Sequence, residues 1–247
     1  MLLYDSILPE FCYITDKRID HVSISDDDIV SIIRKLNPNK ASGSDGISGQ
    51  MLKICDISVA LPLKIIYKNI LDTSTYPEMW KVADVTPIFK KEDKQLVKNY
   101  RPISLLPICG KIFEKLIFNS LYSYLSLNNL ITKNQSGFIP GDSCTNQLLF
   151  LINEIHEAFE NPSSLEVRAV FLDISKAFDK VWHDGLIFKL KQNGVSGKLL
   201  KFFESYLTDR KQRVAMNGFY SDYACIESGV PQGSVLGPLL FLVYIND

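Results

Sequence analysis

Apolar positions follow a helical rhythm at Ile29, Val30, Ile32, Ile33 and Leu36, directly after Ser25-Asp26-Asp27-Asp28. Ser25 is placed to accept the backbone N–H three residues on, and the acids suit the positive helix end, so a capped helix is predicted that Asn37-Pro38 stops. Lys40 to Ile47 is rich in turn residues, and helices are predicted from Ser48 to Ile57 and from Leu61 to Asp72, with Pro62 in the first turn of the second. Trp80 to Phe89 has strand character, with Pro87 marking an edge or a strand end. Helical spacing returns at Ile112, Leu116, Leu121, Tyr124 and Leu125, and again from Asn146 to Phe159, with a loop over 134–142 between them. Arg168 to Ile174 is a short apolar run that reads as a strand covered on both faces. Two more helices are predicted, Asp184 to Gln192 closed by Gly194, and Ser196 to Leu207 with Ser196 as its cap. Gln212 to Met216 and Phe219 to Ile226 flank Asn217-Gly218, a strong hairpin signal.

Composition adds that the chain folds: 46% of its 247 residues are hydrophobic and 22% charged. This length fits one large domain or two small ones, and no repeat or low-complexity linker marks a boundary. A net charge of -1 argues against a strongly nucleic-acid-binding whole. Locally the balance differs, with eight Lys/Arg against four Asp/Glu from Lys81 to Lys115 and nine against four from Lys176 to Arg213. That is either a basic surface or a set of solvated helix faces. Cys12, Cys55, Cys109, Cys144 and Cys225 stand singly, without metal-ligand spacing, and suit buried thiols in a reducing compartment. Met1-Leu2-Leu3 is followed at once by Tyr4 and Asp5, so no secretory leader is expected, and Val235 to Ile245 is too short to span a bilayer.

Chemistry concentrates in two places. Asp173 ends the apolar run where it passes into a polar turn, so its carboxylate either stays ionised at a wet edge or caps the next helix. Hard cations such as Mg2+ take oxygen ligands, and the backbone carbonyl of Ile174 could add one. About fifty residues later, Gly229-Val230-Pro231-Gln232-Gly233-Ser234-Val235-Leu236-Gly237-Pro238 forms a turn leading into a helix. By itself a Pro-Gln-Gly turn is weak evidence.

Together with their surroundings these segments are specific. The run FLDISKAFDKVWH, with NYRPISLLPICGKIFEKLI upstream and SGVPQGSVLGPLLF downstream, resembles the reverse transcriptases of non-LTR retrotransposons, particularly jockey-like long interspersed elements. KASGSDGI, PIFKKEDK and NQSGFIPGDSCTNQL belong to the same ordered pattern, which runs from Asp28 to Asp247.

This resemblance implies an α/β right-hand polymerase, with fingers, a partial palm whose small antiparallel sheet is backed by helices, and no thumb. Residues 1–75 would form a helical N-terminal extension, 76–160 the fingers and 161–247 the partial palm. It implies template-directed nucleotidyl transfer with two Mg2+ ions, an RNA template, a DNA primer and deoxynucleoside triphosphates, and no membrane partner. Asp173 would be the catalytic metal-binding carboxylate, helped by the Ile174 carbonyl. Phe178 would pack against the sugar and exclude a 2′-hydroxyl, unless it is simply a core aromatic. Lys90 or Lys91 and Arg101 would grip the triphosphate, the alternative for the lysines being a solvated hairpin; Arg suits phosphate because its planar fork makes paired bonds. Gln232 would lie against nucleotide and template, with Gly229 and Gly233 letting backbone approach the nucleic acid closely. Asp179 reads as a structural carboxylate. The family acts on chromosomal DNA, which implies an intracellular protein with nuclear access.

A strand hairpin with paired aspartates, which the family pattern places after SVLGPLLFLVYIND, does not occur, and Asp247 is a poor substitute. The 247 residues are therefore expected to be inactive by themselves, with the 168–174 strand left as an aggregation-prone edge. A non-catalytic module binding RNA or a protein partner is the alternative.

Overall fold

The computed structural model describes residues 8–160 and 166–246; Asp247 and the first three residues, on which two expectations bear, lie outside the described residues. Helix α1 spans Asp26–Arg34, and its start carries the expected cap. The Asp28 backbone N–H donates to Ser25 Oγ at 3.1 Å and the Ser25 N–H donates back to Asp28 Oδ2 at 3.2 Å.

Helix α2 runs unbroken over Gly49–Thr73, in place of the two helices expected there. Pro62 lies inside it and costs one main-chain bond. The helix continues because Leu52, Ala60, Leu63, Tyr67 and Ile70 are all buried along one side, so packing outweighs the local penalty.

A single turn, α3 (Glu78–Lys81), leads into strand β1 (Val82–Phe89), which is followed by β2 (Tyr100–Leu105) and helix α4 (Ile108–Leu127). Beyond these lie α5 (Cys144–Glu160), α6 (His183–Gln192), α7 (Gly197–Leu207), strands β3 (Arg210–Met216), β4 (Phe219–Tyr220) and β5 (Ala224–Ile226), and α8 (Gly237–Ile245). The sheet order is β2-β1-β3-β4, with β5 also on β3. β1 and β3 are parallel and the other pairs antiparallel, so the sheet is mixed, not purely antiparallel as expected. Pro87 pairs with Pro102 beyond Val85, the last β1 residue matched to β3, so neither proline interrupts the β1–β3 ladder. At the β3–β4 turn both Asn217 (φ 52°) and Gly218 (φ 82°) are left-handed, as a two-residue hairpin requires.

The expected strand from Arg168 to Ile174 is absent. The segment forms no regular structure, and Val170, Phe171 and Leu172 are 81%, 81% and 91% exposed. An apolar run becomes a strand only where a neighbour satisfies its main chain, and no described strand pairs with this one.

The core sits between α2, α4, α7 and α8. Leu199, Phe202, Phe203, Tyr206 and Leu207 place one face of α7 in it at helical spacing. Phe113 of α4 stacks on Tyr67 at 4.9 Å and meets Phe202 edge-on at 5.5 Å. No described helix is long and apolar enough to cross a membrane.

Candidate functional site

Three separate stretches meet at the turn after β5. The main-chain carbonyl of Gln232 accepts the Ser104 N–H from β2 at 2.8 Å. Its side-chain Nε2 donates to Asp179 Oδ1 at 2.9 Å. The Gly229 N–H donates to the Val181 carbonyl at 2.7 Å and the Val230 N–H to the Phe178 carbonyl at 2.9 Å. His183 Nε2 lies 2.8 Å from the Gly229 carbonyl.

The two glycines make this junction possible. A side chain at Gly229 (φ 91°) would meet the Phe178 carbonyl at 2.8 Å, and one at Gly233 (φ 119°) the Ser104 carbonyl at 2.7 Å. The approach they permit in the described residues is to protein backbone. A cavity of about 320 Å³ opens at this turn, with Gln232, Asp179, Glu227 and the buried Arg210 in its wall.

Phe178 is half-buried, stacked on Phe241 at 4.9 Å and edge-on to Phe138 at 5.7 Å. It therefore packs as an aromatic of the structure, next to the Asp179–Gln232 bond. Arg101 is exposed on β2, three residues before Ser104. Lys90 and Lys91 are exposed where β1 turns toward β2, Lys90 N–H bonding to the Asn99 carbonyl at 2.8 Å.

Asp173 and Ile174 do not join this junction; both are exposed on the unpaired segment, and no described bond ties Asp173 to the Gln232 turn. Among the described residues no three acidic, histidine or cysteine side chains converge as metal ligands. One carboxylate and one carbonyl do not make a cage for a hard cation, so the described donor set does not fit Mg2+.

Sequence reasoning missed the group that holds the turn from beneath. Glu114 of α4 is fully buried, and its Oε2 accepts the backbone N–H groups of Val235 at 2.6 Å and Leu236 at 3.2 Å. Oε1 accepts the Tyr206 hydroxyl at 3.2 Å and faces that of Tyr76 at 3.5 Å. Burial raises the Glu114 carboxyl above its ordinary range, opposed by the Val235 N–H and by Arg210 nearby. A signal for it exists in the sequence: Glu114 shares a helix stripe with Gly110, Ile117 and Leu121, all buried, where a solvated glutamate would not lie. The expectation of buried thiols holds for Cys109 alone, since the other four cysteines are exposed.

Comparison with known proteins adds a family to this geometry. The model described as "Reverse transcriptase (RNA-dependent DNA polymerase)" matches residues 88–247. The chain is 37% identical, over 90% of its length, to the probable RNA-directed DNA polymerase from transposon BS of Drosophila melanogaster. It is 36% identical over 90% to the RNA-directed DNA polymerase from mobile element jockey of the same species. The retrovirus-related Pol polyprotein from type-1 retrotransposable element R2 of Popillia japonica is 25% identical over 91%. The chain covers 24% of the BS and jockey proteins.

Proposed function

The chain belongs to the reverse transcriptase (RNA-dependent DNA polymerase) family, and on that premise we propose that it is the part of a retrotransposon RNA-directed DNA polymerase that receives the incoming deoxynucleotide on its template. The observation that supports this most is the three-way junction at Gln232. One turn is bonded to β2, which carries Arg101, and to the segment that carries Phe178 and Asp179. Ser104, Gln232 and the Phe178–Asp179 segment, far apart in the chain, are bonded to one another there.

In this reading Arg101, with Lys90 or Lys91, engages the triphosphate from the fingers (76–160), where an exposed guanidinium makes paired bonds to phosphate oxygens. Phe178 lies against the deoxyribose and disfavours a 2′-hydroxyl. Gln232, oriented by Asp179, presents its amide to the nucleotide–template pair, while Gly229 and Gly233 keep the turn thin. Residues 161–247 form palm, and 1–75 approach the fingers. Asp173 would be one carboxylate ligand of a divalent-ion site whose chemistry would be to lower the pKa of the primer hydroxyl and neutralise triphosphate charge. The described residues supply too few ligands for that, and no extension by these 247 residues alone is expected.

The test is a graft of this chain in place of the matching segment of the transposon BS polymerase, assayed for Mg2+-dependent extension of a DNA primer on RNA. Extension that disappears with Asp173→Ala is expected. A folded graft whose extension is indifferent to Asp173→Ala would contradict the reading. The open Asp173 segment favours one alternative, a module that binds RNA or a protein without catalysis; salt-sensitive RNA binding with an inactive graft is its signature.

A further inference from the structure

Helix α8 begins with little help from its own sequence. Its first turn holds no acid, and Leu236 at its cap makes no side-chain bond. Ser234 Oγ accepts the Gly237 N–H at 2.9 Å, which leaves the Val235 and Leu236 N–H groups in need of an acceptor. Glu114 supplies it from α4, 121 residues before Val235. The negative group that a helix start favours is thus delivered by a distant helix. Its other oxygen is engaged by Tyr206 of α7 and faced by Tyr76, so the carboxylate is itself held on both sides.

The turn transmits this anchor to Gln232. The Pro231 carbonyl accepts the Ser234 N–H at 3.1 Å and the Ser234 hydroxyl at 2.8 Å. Residues 231–234 are closed by these bonds into a tight turn with Gln232 and Gly233 at its centre, and Val235 is the next residue. Gln232 is therefore set through Val235 by Glu114, and directly by Ser104 and Asp179. Helix docking by itself has no use for a carboxylate at this place. Phe113, one residue before, already packs α4 against Phe202 of α7. Burying a carboxylate costs hydration, and the rise of the Glu114 carboxyl above its ordinary range reflects that cost. The one thing an apolar side chain at 114 fails to provide is an acceptor for the two amides.

Resting on the reading of Gln232 as a contact of the nucleotide–template pair, we propose that Glu114 is a positioning residue for that recognition: by accepting the Val235 and Leu236 amides it sets the level at which Gln232 meets the pair. Glu114 touches no substrate, and its effect is carried entirely by the turn. A substitution at Glu114 therefore alters nucleotide recognition only while the Gln232 side chain is present.

The first measurement is NMR of the full chain without ligand, with the glutamine side-chain amides labelled. Glu114→Met keeps the length of the side chain and removes the acceptor. It should displace the Gln232 amide signals while those of Gln147 on α5 stay in place. Glu114→Gln keeps one acceptor oxygen and the packing, should displace them less, and serves alone if the Met variant does not fold. Gln232 signals unmoved in every folded variant would overturn the proposal. The second measurement is steady-state extension by the graft in the transposon BS polymerase, well below its melting temperature. Glu114→Met should raise KM for the deoxynucleotide about ten-fold with kcat within about two-fold of wild type, and Glu114→Gln should restore most of that loss. In a Gln232→Ala background the Met substitution should change KM no further, because both act through one side chain. Effects that multiply instead would reveal a merely structural role and overturn the proposal. Displaced Gln232 signals together with a graft that does not extend, or that ignores Gln232→Ala, would contradict the reading of the function alone and leave Glu114 as the residue that sets Gln232.

Discussion

The turn carrying Gln232 and the segment carrying Asp173 have opposite surroundings. The turn is held at several points: Ser104 and Asp179 hold Gln232, and buried Glu114 holds Val235 and Leu236. The Asp173 segment has no described strand beside it, and its apolar residues face water. One half of the candidate site is thus built without a ligand, while the other has no strand beside it among the described residues. A motif's strength in the sequence says nothing about whether its surroundings are in place.

The contrast is sharpest in the packed half. Phe202→Ala empties a fully buried position between Phe113 and Tyr206 and should cost about 3–5 kcal/mol in urea unfolding. Phe171→Ala in the open segment should cost under about 0.5 kcal/mol. Equal costs would erase the comparison.

Glu114→Ala comes next. It strands two backbone N–H groups and the Tyr206 hydroxyl in a buried place, and should destabilise by about 3 kcal/mol. Glu114→Gln keeps one acceptor oxygen and should recover part of that loss in the same unfolding measurement.

Gly233→Ala forces a side chain into the Ser104 carbonyl at a left-handed backbone position, at a cost of about 2 kcal/mol. RNA affinity should fall further than stability explains if the turn is part of the site, which a binding curve on the folded fraction would reveal.

The smallest effect is a pH dependence. The folded Glu114 carboxyl lies above its ordinary value of 4.5, so the folded state holds this proton where the unfolded state has lost it. Its contribution is fully present below about pH 4.5 and is lost as the pH rises through the elevated folded value. Unfolding free energies across that window should therefore decline with pH in the wild type, and that component should be missing in Glu114→Gln.

Much of the helical framework is legible in the sequence, because its signals are local. Ser25 and Asp28 announce the start of α1, the spacing from Leu199 to Leu207 gives the buried face of α7, and Asn217-Gly218 sets the hairpin. The features that escape sequence reading depend on distant neighbours. Pro62 looks like a boundary until the buried stripe on both sides of it is visible. Strand β2 carries two exposed positions and a proline, which give no strand signal; it exists because it pairs with β1. Arg168 to Ile174 has the right side chains for a strand, but no strand among the described residues pairs with it. Within the candidate site, Gln232, Phe178 and Asp179 are legible as types, but the bonds joining them to Ser104, and Glu114 beneath, belong to the tertiary fold.

Backbone hydrogen exchange compares the two halves in one experiment. The account predicts that the Val235 and Leu236 amides, bonded to buried Glu114, exchange only with global unfolding, while the amides from Val170 to Asp173 exchange at nearly the rate of an unstructured peptide. Protection of the Asp173 segment comparable to that of Val235 and Leu236 would contradict it.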